Sequence, residues 1–381
     1  MKIILITHSF FPYSIGGREK YVYDLAKALS EVGHEIEIFT CGNCLFKRYY
    51  KIENSGFVIH YFPRICIPLL VGYYRIPYTI FSKLLKTDAD IIHAHDFHHF
   101  TTLISAFISR KLKKPFLLTE HGYPEQFGIL NSVIKFYDKF FLPQIAKSSS
   151  RIIAVSNFIK KELIREYNVP KEKIQVVHNA IDLNEYKNES NIFREKYDLN
   201  NKKIILAVGR LTKEKGFQYL IKALPTVLKK VPESILVIIG PKNYYEKNLK
   251  KLTKLSKITD NVIFTGAVSE EMLKSAFFSS DIVVIPSIYE PFGIIGLEAM
   301  AYGKPIIASG VGGLSEFLVN NKNCLIVSPN CTNELSDKIS NLLINEKLAN
   351  DLGVKARESV KKYDWKRIVE KILDIYENEL N

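Results

Sequence analysis

Apolar residues fall in short runs separated by stretches of helical period, and this alternation runs along most of the chain. The first run, Ile3 to Ile6, leads into a loop holding Gly16-Gly17, then into an amphipathic stretch from Glu19 to Val32 that stops at Gly33-His34. Strand, glycine loop and helix are the predicted elements: successive apolar residues suit a strand covered on both faces, and a glycine closes the helix after it. Further strands are predicted at 35–40 (EIEIFT), 90–95 (DIIHAH), 115–121 (PFLLTEH) and 151–156 (RIIAVS), each followed by room for a helix. Strands alternating with helices make a parallel sheet with helices on both faces.

The pattern then restarts. Strands are predicted at 203–209, 234–240, 261–266, 281–287 and 305–309, with helices at 216–230, 244–257, 269–279 and 293–302 between them. Two doubly wound units follow, and 381 residues are more than one core usually serves. The polar stretch VVHNAIDLNEYKNESN marks the boundary, giving an N-terminal domain over 1–182 and a C-terminal one over 183–360. The segment 361–381, helical in pattern and carrying the only Trp, is expected to cross back onto the N-terminal domain. Ligands of open parallel sheets sit at the carboxyl ends of the strands, so the expected fold class is α/β, two Rossmann-like domains facing across a cleft.

Composition changes this picture little. No window approaches the ~18 apolar residues of a spanning helix, and the N-terminus meets Pro12 too early for a signal peptide, so a cytoplasmic protein is expected. Five cysteines fit a reducing compartment, and the Cys41/Cys44 pair lacks a second pair at zinc spacing. Charge adds more: of the net +13, about +9 lies on residues 1–180. There Lys and Arg alternate with aromatics in the segments 72–86 and 135–147, a mixture that suits an anionic membrane surface better than nucleic acid. A solvated helix face beside a core stripe is the competing reading of both segments.

Candidate chemistry gathers at the strand ends. In GRLTKEKG (209–216), Arg210 follows a buried strand and Lys215 precedes a helix, so two cations and a helix N-terminus converge where a diphosphate can bind. In YEPFGIIGLEAMAYGKP, Glu290 and Glu298 stand eight residues apart, one in a loop and one a turn into a helix, and Gly293 lets backbone approach a ligand. Gly16-Gly17 is a turn able to approach a phosphate, short of the full dinucleotide fingerprint. All nine histidines lie at or before residue 178, and His121 ends a strand where it can enter the cleft. His93 and His95 form an H-x-H without a third ligand at fixed spacing, and Asp88-Ala89-Asp90 precedes its strand, on the wrong side of the sheet for a metal at the cleft.

Taken in order, these motifs resemble glycosyltransferase family 4, the large retaining group with the GT-B fold. The likeness spans nearly the whole chain, through FFPYSIGGREKYVYDLAKALSEVGHEIEIFT, DIIHAHD, TEHG, GRLTKEKG, YEPFGIIGLEAMAYGKPIIAS and GVGGLSEFL, with GRLTKEKG and the Glu290/Glu298 pair the most specific parts. The resemblance implies that Arg210 and Lys215 bind the donor diphosphate and neutralise the leaving nucleoside diphosphate, and that Glu298 bonds the ribose. It puts Glu290 beside the transferred sugar, with the backbone of Phe292, Gly293, Ile294 and Ile295 on sugar hydroxyls or phosphate, and Gly266 to Val268 by the base. Gly16 and Gly17 are expected at the diphosphate, and His121 near the donor sugar, as a positioning or charge-stabilising group.

The expected function is therefore transfer of a hexose or N-acetylhexosamine, with retention, from a UDP- or GDP-linked sugar to a lipid-linked or surface-glycan acceptor. The nucleotide sugar is a co-substrate; no cofactor, metal or nucleic acid is expected, and peripheral contact with the inner face of the cell membrane is. A nucleotide-sugar epimerase or hydrolase on the same fold, or a non-catalytic sugar-nucleotide-binding protein, is the alternative.

Overall fold

The computed structural model describes residues 1–14, 16–42, 49–54, 56–66, 75–77, 79–122, 136–187 and 190–381. Cys44, residues 72–74 and 78 of the first basic segment and Lys135 of the second lie outside them. The chain forms two compact units, Met1–Ala180 with Trp365–Asn381, and Ile181–Asp364.

In the first unit the strands are β1 (Lys2–Ile6), β2 (Glu35–Cys41), β3 (Tyr50–Asn54), β4 (Phe57–Phe62), a small pair β5 (Ile65–Cys66) and β6 (Arg75–Ile76), then β7 (Ile91–His95), β8 (Phe116–Glu120), β9 (Arg151–Ala154) and β10 (Ile174–Val176). The main sheet has the order β10-β9-β8-β7-β1-β2-β4-β3. Its neighbours pair in parallel except the antiparallel β3 and β4. Ile3, Ile4, Leu5 and Ile6 are fully buried, as a central strand covered on both faces requires.

The helix Trp365–Leu380 belongs to this unit. Its buried residues Trp365, Ile368, Val369, Ile372, Ile375 and Tyr376 repeat every three or four positions and so form one stripe. They share a core cluster with Tyr21, Val22, Leu25 and Leu29 of the helix Gly17–Glu31. Two polar contacts fix its register: the Tyr376 hydroxyl lies 2.6 Å from His93 Nδ1, and Arg151 pairs with Glu379 at 2.8 Å.

The second unit holds β11 (Lys203–Val208), β12 (Ser234–Ile239), β13 (Val262–Gly266), β14 (Ile282–Ile285), β15 (Ile306–Ser309) and β16 (Leu325–Val327) in the order β13-β12-β11-β14-β15-β16. Every neighbouring pair is parallel. By order of appearance this is 3-2-1-4-5-6, the doubly wound Rossmann arrangement, whose direction reverses between β11 and β14. The first unit has the same reversal between β1 and β7.

The predicted parallel strands are all present; β3, β10 and β16 escape the sequence pattern, while β4 (FVIHYF), buried along nearly its whole length, carries a strand signal that the prediction omits. Residues 50–54 (YKIEN) form a mostly exposed edge strand with little apolar content, and β10 and β16 are three residues each. Too few side chains there are buried to print a period on the sequence. Among the described residues no helix is long and apolar enough to cross a membrane.

Candidate functional site

In the second unit the chain reverses winding between β11 and β14, the place where open parallel sheets bind ligands beyond the carboxyl ends of their strands. The loop after β11 runs through Gly209 and Arg210 into a short turn, Lys213–Lys215, and then into the helix Phe217–Lys230. Gly216 joins turn to helix at φ +71°, and a Cβ there would collide with the Pro286 carbonyl oxygen beyond β14. Only glycine lets the two loops pack this closely. A backbone bond from Ile288 N to Glu214 O, 2.6 Å, ties them together.

This packing sets Lys215 on Glu290. The ammonium donates to both carboxylate oxygens, at 2.7 and 2.9 Å, and Ser287 Oγ donates to Oε2 at 2.9 Å. Glu290 is buried, so the pair is charge-assisted and shielded from water. Its backbone carbonyl accepts from Gly313 N at 2.9 Å, which anchors the loop from the β15 side. Arg210 is exposed in the same loop as Lys215.

Beyond Glu290, Phe292 is buried, its ring packed against Phe317 and Tyr363. Gly293 follows at φ +96°, where a Cβ would collide with Leu314, and caps the helix Ile294–Ala301. The first N–H groups of that helix have no intrahelical partner, and Ile294 and Ile295 carry two of them next to the Lys215–Glu290 pair in sequence and loop. Glu298, in the same helix, is buried and accepts a 3.0 Å bond from the Tyr186 hydroxyl. Gly266 closes β13, two strands from the reversal, and Val268 follows it, half-buried, just ahead of the helix Glu270–Ser279. What the second unit offers is therefore a cation, a buried carboxylate and free helix-terminal N–H groups around one strand end, a set able to bind an anionic diphosphate and sugar hydroxyls.

The first unit's reversal carries different groups. Gly16 caps the helix Gly17–Glu31 in extended backbone, and Arg18 one residue into it reaches back under the sheet's carboxyl edge. Its Nη1 lies 2.6 Å from Asp96 Oδ2 and 2.9 Å from His99 Nε2, while Nη2 donates to Ser9 Oγ at 2.6 Å and to Glu19 Oε1 at 2.8 Å. Burial opposes ionisation of Asp96, but the Arg18 charge and the His99 hydrogen bond outweigh it and hold the carboxyl well below its usual range. The other Asp96 oxygen accepts from the backbone N–H of His121 at 3.1 Å.

The His121 ring lies 3.1 Å (Nε2) from His95 Nδ1 and edge-on to Tyr21. Burial lowers its pKa to about 4, against the opposing pull of Asp96, so the imidazole is neutral at neutral pH. A neutral imidazole at a strand end can accept or donate one hydrogen bond but is a weak base. His93 has both ring nitrogens within 2.7 Å of Tyr376 and Thr119 hydroxyls, a core role. Asp88 and Asp90 bind the ammonium and backbone N–H of Lys2 at the amino end of β1.

Four side chains here, Arg18, Asp96, Tyr186 and Ser287, are absent from the sequence reading. Arg18 and Asp96 are 78 positions apart, and Tyr186 and Glu298 are 112 apart, so no local spacing reports either contact. Ser287 sits three residues before Glu290 and was within reach of a loop-level reading.

Residues 189–359 match the family described as glycosyl transferases group 1, and residues 15–185 match glycosyltransferase family 4. The chain is 30% identical to an uncharacterized glycosyltransferase of Methanocaldococcus jannaschii, MJ1607, over 99% of this chain and 98% of that one. It is 27% identical to the N-acetyl-alpha-D-glucosaminyl L-malate synthase of Bacillus anthracis, over 96% and 93%. Among solved structures, Alr3699/HepE of Anabaena in complex with UDP and glucose has the same fold, with a TM-score of 0.81, 21% identity and 99% of each chain covered. With this likeness running through both units, the chain belongs to the GT4-type glycosyltransferases and is a transferase with the GT-B fold.

Proposed function

We propose that this glycosyltransferase moves a hexose or N-acetylhexosamine, with retention of anomeric configuration, from a UDP- or GDP-linked sugar to a lipid-linked or surface-glycan acceptor. The observation that carries the reading is the second unit's strand-end set: Lys215 on Glu290, beside the open N-terminus of the helix Ile294–Ala301. Lys215 and Arg210 take the diphosphate and offset the charge that develops as it leaves. Two preorganised cations do this without a metal ion. Glu290 faces the transferred sugar, the backbone from Phe292 to Ile295 bonds sugar hydroxyls or phosphate, Glu298 bonds the ribose, and Gly266 to Val268 lie by the base.

In the first unit the same reading gives Gly16 and Gly17 a backbone contact to phosphate and His121 a neutral hydrogen bond to the donor sugar. Peripheral attachment at the inner face of the membrane is supported by Phe136 and Phe140, more than half exposed with ring centres 4.6 Å apart and planes tilted, and Lys139 beside them.

Incubation with UDP- and GDP-sugars, with and without candidate acceptors and with EDTA present, tests the proposal. Acceptor-dependent release of nucleoside diphosphate, and a product whose anomeric proton coupling matches the donor's, is the expected result. Turnover of donor alone would instead favour an epimerase or hydrolase, and binding without any turnover a sugar-nucleotide-binding protein.

A further inference from the structure

Glu298 is gripped by a residue outside every motif. The hydroxyl of Tyr186, a side chain only 4% exposed in the turn Leu183–Tyr186, donates to its Oε1 at 3.0 Å. The last torsion of a glutamate is soft and nearly two-fold, so a carboxylate that must meet a ligand in one orientation needs a partner to set its plane. A buried phenol on one oxygen does so through a charge-assisted bond. The phenol is itself held: the Tyr302 ring stands edge-on at 5.6 Å, and the Lys274 ammonium lies 5.7 Å from the Tyr186 ring centre. Lys274 in turn is fixed by Glu270 at 2.7 Å and Glu185 at 3.3 Å.

On the reading of Glu298 as the ribose ligand, we infer that Tyr186 is a positioning residue for the donor, its hydroxyl orienting the Glu298 carboxylate toward the ribose hydroxyls. Tyr186 does not touch the donor; it acts through Glu298 alone. Removing the hydroxyl therefore weakens only ligands that carry ribose hydroxyls. The ring remains to fill its place against Tyr302, so the fold is kept.

The test is a cycle between Tyr186→Phe and the ribose. Calorimetric affinities of wild type and variant are measured for the nucleoside diphosphate that wild type binds, UDP or GDP, and for its 2′,3′-dideoxy counterpart. Loss of a hydrogen bond to a charged group predicts about tenfold weaker binding of the ribonucleotide by the variant and unchanged binding of the dideoxynucleotide. With a sugar donor, KM should rise while kcat holds. In a Glu298→Ala background, Tyr186→Phe should add nothing. Equal losses for both nucleotides, or none for the ribonucleotide, would overturn the positioning role. A wild type that binds ribo- and dideoxynucleotide equally would instead remove Glu298 from the ribose, and the inference would fall with that assignment. A melting temperature shared by wild type and Tyr186→Phe separates these outcomes from misfolding.

Discussion

The two units reverse their winding at the same kind of place yet furnish it with opposite chemistry. At β11/β14 one lysine is paired with one glutamate beside a helix N-terminus, and Arg210 is exposed in the same loop. At β1/β7 a single guanidinium is spent on its own neighbours, Asp96, Glu19, Ser9 and His99, and the imidazoles near it are neutral. The topology thus supplies a reversal point and says nothing of its use. The side chains at the strand ends decide whether it can bind an anion or is tied into a rigid, internally satisfied network.

The largest expected effect lies at the cationic reversal. Lys215→Ala should lower kcat/KM by about a hundred- to a thousandfold, the loss of one preorganised charge at a leaving group. Steady-state kinetics that moved by less than tenfold would mean the two reversals do not differ as described. Next comes the network. Arg18→Ala leaves Asp96 and Glu19 buried without their cation and should cost about 3 kcal/mol in urea unfolding, with Arg18→Lys intermediate because a lysine cannot fork to both sides.

Acid sharpens the contrast further. His121 titrates near 4 in the folded chain against an ordinary value of 6.5, and burial is the main cause. Between these values the unfolded chain binds a proton that the folded chain refuses. The His121 contribution to stability should therefore fall as pH drops from about 6.5 to 4, and level off below. His121 alone contributes a slope of up to roughly 1.4 kcal/mol per pH unit, and His121→Asn should remove one proton's worth of that slope in pH-dependent unfolding. The smallest effect belongs to Asp88, which pairs with Lys2 at the far end of the sheet. Asp88→Asn should leave kcat/KM unchanged whether manganese is added or chelated.

Legibility in the sequence follows the same divide. Where burial is continuous, as in β1 and β11, or repeats every three or four positions, as in the helix Trp365–Leu380, the elements can be read directly from the order of residues. Edge strand β3 cannot, because its side chains are exposed. Lys215 and Glu290 stand in loops at adjacent strand ends, so their neighbourhood follows once the strands are known. The contacts Arg18 to Asp96 and Tyr186 to Glu298 do not follow: hydrogen-bonded partners far apart in the chain leave no periodic trace, and only the folded backbone brings them within 3.0 Å.

The most direct test of the central claim, that the β11/β14 strand ends hold a nucleoside diphosphate through Lys215, is thermal unfolding of wild type and Lys215→Ala with UDP, GDP and ADP. One nucleotide should raise the melting temperature of wild type in proportion to the logarithm of its concentration and leave the variant nearly unmoved. An equal rise in both proteins, or none in either with any nucleotide, would contradict it.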